Sequence, residues 1–282
     1  MGEGLEQPAP ARTYRKRIRV ETCAPGMLMG ALEDTAHHVR VKMRFEGARV
    51  REVQGEPVRL PWVTCPGAAE GLRSLVGAEA TTALRELRRH YDPASHCTHF
   101  FDLAHLVLAQ AARNLAGAAE PVRAYEAVVP APQGVGVVAA GPHTELRGGG
   151  VTTAALFRNG VCVLQWQLEG SRIIGPDPFT GLGLREGFLQ WCEQHLDDER
   201  AEAAYVLRRV AGMWMIANLA MDAFDNVAQT GLPQGTCFTA QPERMGRAAR
   251  NVGSQRDYSA PSAPMLEGYE ASRDEWLSTM SR

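Results

Sequence analysis

The chain has 282 residues, 45% of them hydrophobic, and a net charge of −2, enough length and apolar content to bury a core without disulfide or metal staples. A near-neutral balance without a basic stripe speaks against a nucleic-acid-binding protein. No run of 18 apolar residues points to a membrane span, the first residues do not read as a signal peptide, and six scattered cysteines fit reduced thiols in the cytoplasm.

Residues 1–11 are rich in Gly, Pro and Glu and predict disorder. From Arg12 to Arg19 basic residues alternate with Tyr14 and Ile18, the pattern of a half-buried strand with a solvated basic face. Gly26 marks a turn into Met27 to Leu32. Val39 to Phe45 alternates strictly, Glu46-Gly47 turns, and Ala48 to Val53 returns as the second arm of a hairpin. A further extended stretch, Val58 to Thr64, runs into Cys65, and there the period changes. Pro66 suits the first turn of a helix whose stripe Ala68, Leu72, Leu75 and Val76 ends at Gly77. Ala83 to His90 is a second helix. Asp92-Pro93 breaks it, and Ser95 or Thr98 caps a long helix from His99 to Leu115.

Gly117 and Pro121 mark a domain boundary. The predicted organisation is therefore a metal-binding part over 12–118, a second α+β part over 119–245 carrying the substrate pocket, and an irregular C-terminal tail over 246–282. Ala124 to Gly150 is extended and broken by glycines. Val151 to Arg158 and Val161 to Leu168 form a hairpin around Asn159-Gly160. Gly170 to Gly183 reads as a loop, and Arg185 to Leu196 and Glu199 to Val227 read as helices.

Cys65 stands at a strand-to-helix junction and Cys97 just before a helix. Both positions lie near helix N-termini, where unpaired N–H groups and the dipole favour the thiolate that metal binding or nucleophilic chemistry requires. His96 and His99 flank Cys97. Asp102, one turn after His99, is placed to orient a ligating imidazole. It is one candidate catalytic carboxylate. The other is Asp222, which shares a predicted apolar helix, Met213 to Val227, with Asn218, Asp225 and Asn226. Those polar groups either face water or line a substrate pocket. The chain has no Cys-x-x-Cys and no His-Glu-x-x-His, so this is not a zinc-finger spacing. On residue chemistry alone Cys65 and Cys97 read equally as metal ligands and as core cysteines.

The order of hairpin, Thr64-Cys65-Pro66-Gly67-Ala68-Ala69 at a helix start, and His96-Cys97-Thr98-His99 opening a later helix resembles the iron–sulfur scaffold proteins of the IscU, SufU and NifU-N type. The same stretch resembles a bacterial family of unknown function through Leu60-Pro61-Trp62-Val63-Thr64-Cys65-Pro66-Gly67-Ala68-Ala69 and Cys97-Thr98-His99-Phe100-Phe101-Asp102. The scaffold resemblance implies an IscU/SufU-like antiparallel sheet with helices, and metal ligands at Cys65 and Cys97. It departs in two places. Asp34-Thr35-Ala36-His37-His38 stands where the scaffolds offer a third cysteine, and Ala94 stands where they have a lysine. What is left is a mixed sulfur, nitrogen and oxygen site, with Cys65, Cys97 and a choice among His37, His38, His99 and Asp34. Val39, Val41, Met43 and Phe45 form the buried set of their strand, which turns His37 inward and His38 out to solvent.

These readings predict a mononuclear metalloenzyme acting on a small organic molecule. The ion would be Zn²⁺ or, alternatively, Fe²⁺, with hydrolytic, hydration or lyase chemistry for zinc and an oxidative step for iron. Rival readings are an iron–sulfur or sulfur-transfer accessory protein, a binding module with a structural zinc, and a cysteine-nucleophile enzyme using Cys65 or Cys97 with His99. The expected partner is a small-molecule substrate, with neither nucleic acid nor membrane.

Overall fold

Alternating residues build the centre of the molecule. The computed structural model describes residues 9–118, 120–140, 143–147 and 149–280. After the short strand β1 (Ala9–Pro10), β2 (Tyr14–Ala24) buries Tyr14, Lys16, Ile18 and Val20 on one face and leaves Arg15, Arg17 and Arg19 half-buried on the other. β3 (Met27–Asp34), β4 (His38–Glu46) and β5 (Arg49–Arg59) follow as an antiparallel meander. Gly26 and Gly47 supply the positive φ angles, 70° and 56°, that two of the turns require. Val39, Val41, Met43 and Phe45 all face inward along β4.

The boundary expected near Gly117 falls inside one sheet. β6 (Val122–Val129) pairs with β2 from Tyr14 opposite Val129 to Glu21 opposite Val122. After β7 (Gly136–Ala140) and β8 (His143–Arg147) come β9 (Val151–Arg158), β10 (Val161–Glu169) and β11 (Arg172–Gly175). The main antiparallel sheet has the order β11-β10-β9-β6-β2-β3-β4-β5, and β1, β7 and β8 form a separate three-stranded sheet. Separating 12–118 from 119–245 would unpair the facing edges of β2 and β6, so the two segments share one frame. The fold is α+β, as expected, with the Asn159-Gly160 turn at φ 48° and 83° joining β9 to β10.

A 3-10 helix over Cys65–Leu75 buries Ala68, Leu72 and Leu75. α1 (Leu84–Leu87) is a single turn, and α2 (Thr98–Leu115) lies across β2, β3 and β4 on the inner face. Gly30 sets that approach. A Cβ there would come within 2.7 Å of Leu103 Cδ1 and 2.9 Å of Val107 Cγ2. α3 (Phe188–His195) precedes α4 (Asp198–Arg208), which is capped by the Asp197 side chain accepting from the Arg200 N–H and packs on β9 and β10. Glu202 of α4 joins the helices to the sheet. It accepts from Arg113 of α2 at 2.8 Å and from Arg123 of β6 at 3.2 Å, with Tyr125 also donating. Glu199 holds the same two arginines at 2.8 Å each.

Other expectations are corrected. The helix expected over Glu199 to Val227 breaks after Arg208 into α5 (Trp214–Asn218) and a 3-10 turn, Met221–Ala223. Asn218 is claimed by the start of the chain: Arg12 N–H donates to its Oδ1 at 2.6 Å, and its Nδ2 donates to the Arg12 carbonyl at 3.0 Å. Asn226 caps yet another turn, Val227–Thr230, so Asn218, Asp222, Asp225 and Asn226 share no helical stripe. The expected loop 170–183 contains β11. α6 (Pro242–Met245) precedes the tail, and the tail is not irregular throughout, because it holds α7 (Tyr269–Met280). Tyr269 and Trp276 cover Met29 and Ala31 on the outer face of β3. Of the segment expected to be disordered, Ala9–Pro10 pairs with β7 and residues 1–8 lie outside the described residues. No described helix is long and apolar enough to cross a membrane.

The Glu202 network generates a stability prediction. Glu202→Ala leaves Arg113 to Glu199, and Arg123 to Glu199 and the more distant Glu120, and is expected to cost about 3 kcal/mol, read as a lowered urea midpoint at unchanged slope. A cost under about 0.5 kcal/mol would mean that the network does not hold α4 to the sheet.

Candidate metal centre

Asp34 ends β3 on the inner face and shapes the turn into β4. Its Oδ1 accepts the backbone N–H groups of Ala36 and His37, both at 2.9 Å, a local closure typical of a short carboxylate at the head of a turn. Its Oδ2 accepts the Tyr14 hydroxyl at 2.7 Å and lies 3.6 Å from Lys16 Nζ. Two imidazoles complete the surroundings. His37 Nδ1 is 3.3 Å from Oδ1, and His99 Nε2, presented by the first turn of α2, is 3.4 Å from Oδ2.

One ligand atom from each of Asp34, His37 and His99 lies within 4.8 Å of the others. Two imidazoles and a carboxylate are a donor set used by zinc and by non-haem iron. The two rings stack with centroids 3.6 Å apart and planes 23° from parallel. Joint coordination of one ion therefore requires one ring to turn so that both lone pairs converge. The Asp34 side chain is 3% exposed while those of His37 and His99 are 20% and 18% exposed, so solvent reaches the group from the imidazole side.

The electrostatics suit ligation. Burial alone would raise the Asp34 carboxyl, but the neighbouring His37, His99 and Lys16 hold it well below the usual carboxylate range. Burial pushes His99 down to about 3, with the charge of His37 acting the same way and Asp34 opposing. At neutral pH His99 is thus uncharged, as a metal-ligating imidazole must be.

The other expected site residues stand around this group in different ways. Cys97 Sγ is 4.0 Å from His99 Nδ1, on the opposite side of that ring from Asp34. Cys65 Sγ is 3.1 Å from Thr239 Oγ1. Neither thiol joins the close group of ligand atoms among the described residues. The expected thiolate character is overridden by burial, which pushes both thiols up to about 12. For Cys97 the charges of Cys65 and Cys237 add to that rise, against the N–H groups of Phe100 and His99. Cys237 was not foreseen. The Phe238 N–H donates to the His96 carbonyl at 2.8 Å, and the neighbouring Cys237 packs with Cys65 against one small apolar cluster.

Asp102 does not stand behind His99. It accepts Tyr205 Oη at 2.5 Å and Arg209 Nε at 2.9 Å, because α4 reaches it across the face of α2. Asp222 is half-exposed and fastens the C-terminal segment, pairing with Arg250 at 2.9 Å and accepting the Gly253 N–H at 3.0 Å. His38 faces away from the site, as the alternation requires, yet it is only 4% exposed. The C-terminal segment covers it, with Tyr258 and the Leu266 N–H both bound to the neighbouring Glu33. Tyr14 and Lys16 escaped notice because they sit within a basic run. Their shared parity with Ile18 is the signal that both point inward.

Residues 22–113 match the model of a family described as protein of unknown function (DUF2889). No curated protein matches the chain. The matched segment contains Asp34, His37, Cys65, Cys97 and His99 but neither Cys237 nor Arg209.

Raised thiols predict slow alkylation. At pH 8, mass-spectrometric mapping should find exposed Cys162 modified first and Cys65 and Cys97 at least about tenfold slower. Comparable rates at all three would show that burial does not control these thiols.

Proposed function

We propose that this chain is a metal-dependent enzyme in which Asp34, His37 and His99 hold one Zn²⁺ or Fe²⁺ ion and a small organic molecule is the substrate. The observation that carries this reading is the convergence of two imidazoles and a buried carboxylate within 4.8 Å, on a sheet and a helix whose spacing Gly30 fixes. Three protein ligands leave coordination positions open on the solvent side, the mark of a catalytic rather than a structural site. A bound ion supplies Lewis acidity or an activated water, suiting hydrolysis, hydration or lyase chemistry for zinc and an oxidative step for iron.

The chain's own residues have distinct parts in this proposal. Tyr14 and two backbone N–H groups fix the Asp34 carboxylate in one orientation. The Asp34–His99 contact orients the ring, and the partly exposed edges of His37 and His99 face the approach of substrate. Asp102 is engaged by Tyr205 and Arg209 and ties α2 to α4.

A second reading keeps the finer resemblance to the IscU/SufU-like scaffolds and makes the chain an iron–sulfur or sulfur-transfer accessory protein. One observation favours it: Cys237 packs with Cys65 against one small apolar cluster and adds a third thiol to Cys65 and Cys97. The two readings differ in what the purified protein carries. Without chelators, the first expects close to one zinc or iron per chain, falling below about 0.2 in the Asp34→Ala, His99→Ala double variant. Wild-type metal content below that level would overturn it, and visible absorption from a cluster would favour the second.

A further inference from the structure

Four charges that cancel lie at and behind the metal ligands, three of them buried and the fourth, Arg209, 31% exposed at its side chain. Asp34 is 2% exposed, Asp102 5% and Lys16 4%, and Arg209 binds Asp102 through Nε at 2.9 Å. Lys16 Nζ is 3.6 Å from Asp34, and its charge acts on Asp102 as well. Tyr14 bonds Asp34 at 2.7 Å, and Asp102 lies one helical turn from His99, whose ring is 3.4 Å from Asp34, so the two ion pairs are neighbours. Glu202, the nearby carboxylate on α4, is already matched by Arg113 and Arg123. Two carboxylates and two cations sum to zero when the imidazoles are neutral.

A divalent ion at Asp34, His37 and His99, on which this step rests, changes that sum to +2. It also sets the ion and Lys16 Nζ on the same carboxylate. Uncompensated like charges around a buried carboxylate are strongly unfavourable. The opening on the imidazole side is where a compensating charge enters. We infer that the metal centre is completed by an anionic oxygen ligand, a carboxylate or phosphate group of the substrate, which binds the ion from the imidazole side and offsets the charge of Lys16 beneath it. Metal and anion then bind with positive coupling, each raising the affinity for the other by the same factor. A lysine buried beside a metal-ligand carboxylate has a role in this scheme that a mere salt bridge does not give it. It weakens the ion alone and favours the ion with its anion.

The test is the Zn²⁺ affinity of the full chain, measured against a chromophoric chelator that fixes free Zn²⁺. It is run in anion-poor buffer, then with formate in one arm and inorganic phosphate in the other. The expected result is an affinity about tenfold tighter with one of the two anions, and the responding arm identifies the group. Lys16→Met is expected to bind Zn²⁺ more tightly than wild type without added anion and to lose the enhancement. Wild-type Zn²⁺ binding that is equal in all three buffers overturns the inference while leaving the metal site standing. No Zn²⁺ binding in any buffer overturns both. The wild-type titration decides the matter even if Lys16→Met does not fold.

Discussion

A carboxylate cannot be buried without partners, and Asp34 is buried almost completely. What surrounds it follows from that constraint. The turn between β3 and β4 offers two backbone N–H groups, β2 offers Tyr14 and Lys16, and α2 must approach closely enough to offer His99. The closeness of α2 depends in turn on Gly30, where any side chain would collide with Leu103 and Val107. Sheet register, turn and helix placement thus all converge on one side chain. The two imidazoles that complete its shell are the groups a metal ion uses.

The second half of the chain contributes support in place of a separate module. β6 continues the sheet beside β2, α4 reaches back to Asp102 through Tyr205 and Arg209, and the C-terminal segment closes the outer face over Glu33 and His38. A site assembled from residues 14 to 99 is therefore braced by residues up to Trp276. The family match ends at Arg113, and the bracing elements lie beyond it.

How far the residues alone reveal this depends on the range of the interaction. The meander β2–β5, the start of α2 and the Asn-Gly hairpin were legible because period-two alternation and turn chemistry are local. His37 was assigned inward on the same ground, and the structure stacks it on His99. The burial of His38 was not legible from its own strand, since its cover comes from a segment more than two hundred residues later. A hint existed in β3, whose Met27-Leu28-Met29 and Ala31-Leu32 are apolar on both faces and so require cover on both. The burial of the thiols was not legible. Helix N-termini do favour thiolates, but desolvation at Cys65 and Cys97 is the larger effect, and it is a property of packing that spacing does not encode. Lys16 was obscured by its arginine neighbours, although its parity placed it on the inner face.

The central claim is that nitrogen and oxygen, not sulfur, hold the ion. X-ray absorption at the metal edge of the loaded protein tests it most directly. The account predicts a first shell of nitrogen and oxygen at about 2.0–2.2 Å with the outer-shell scattering of imidazole rings. A sulfur shell near about 2.3 Å, from Cys65 and Cys97, would contradict it.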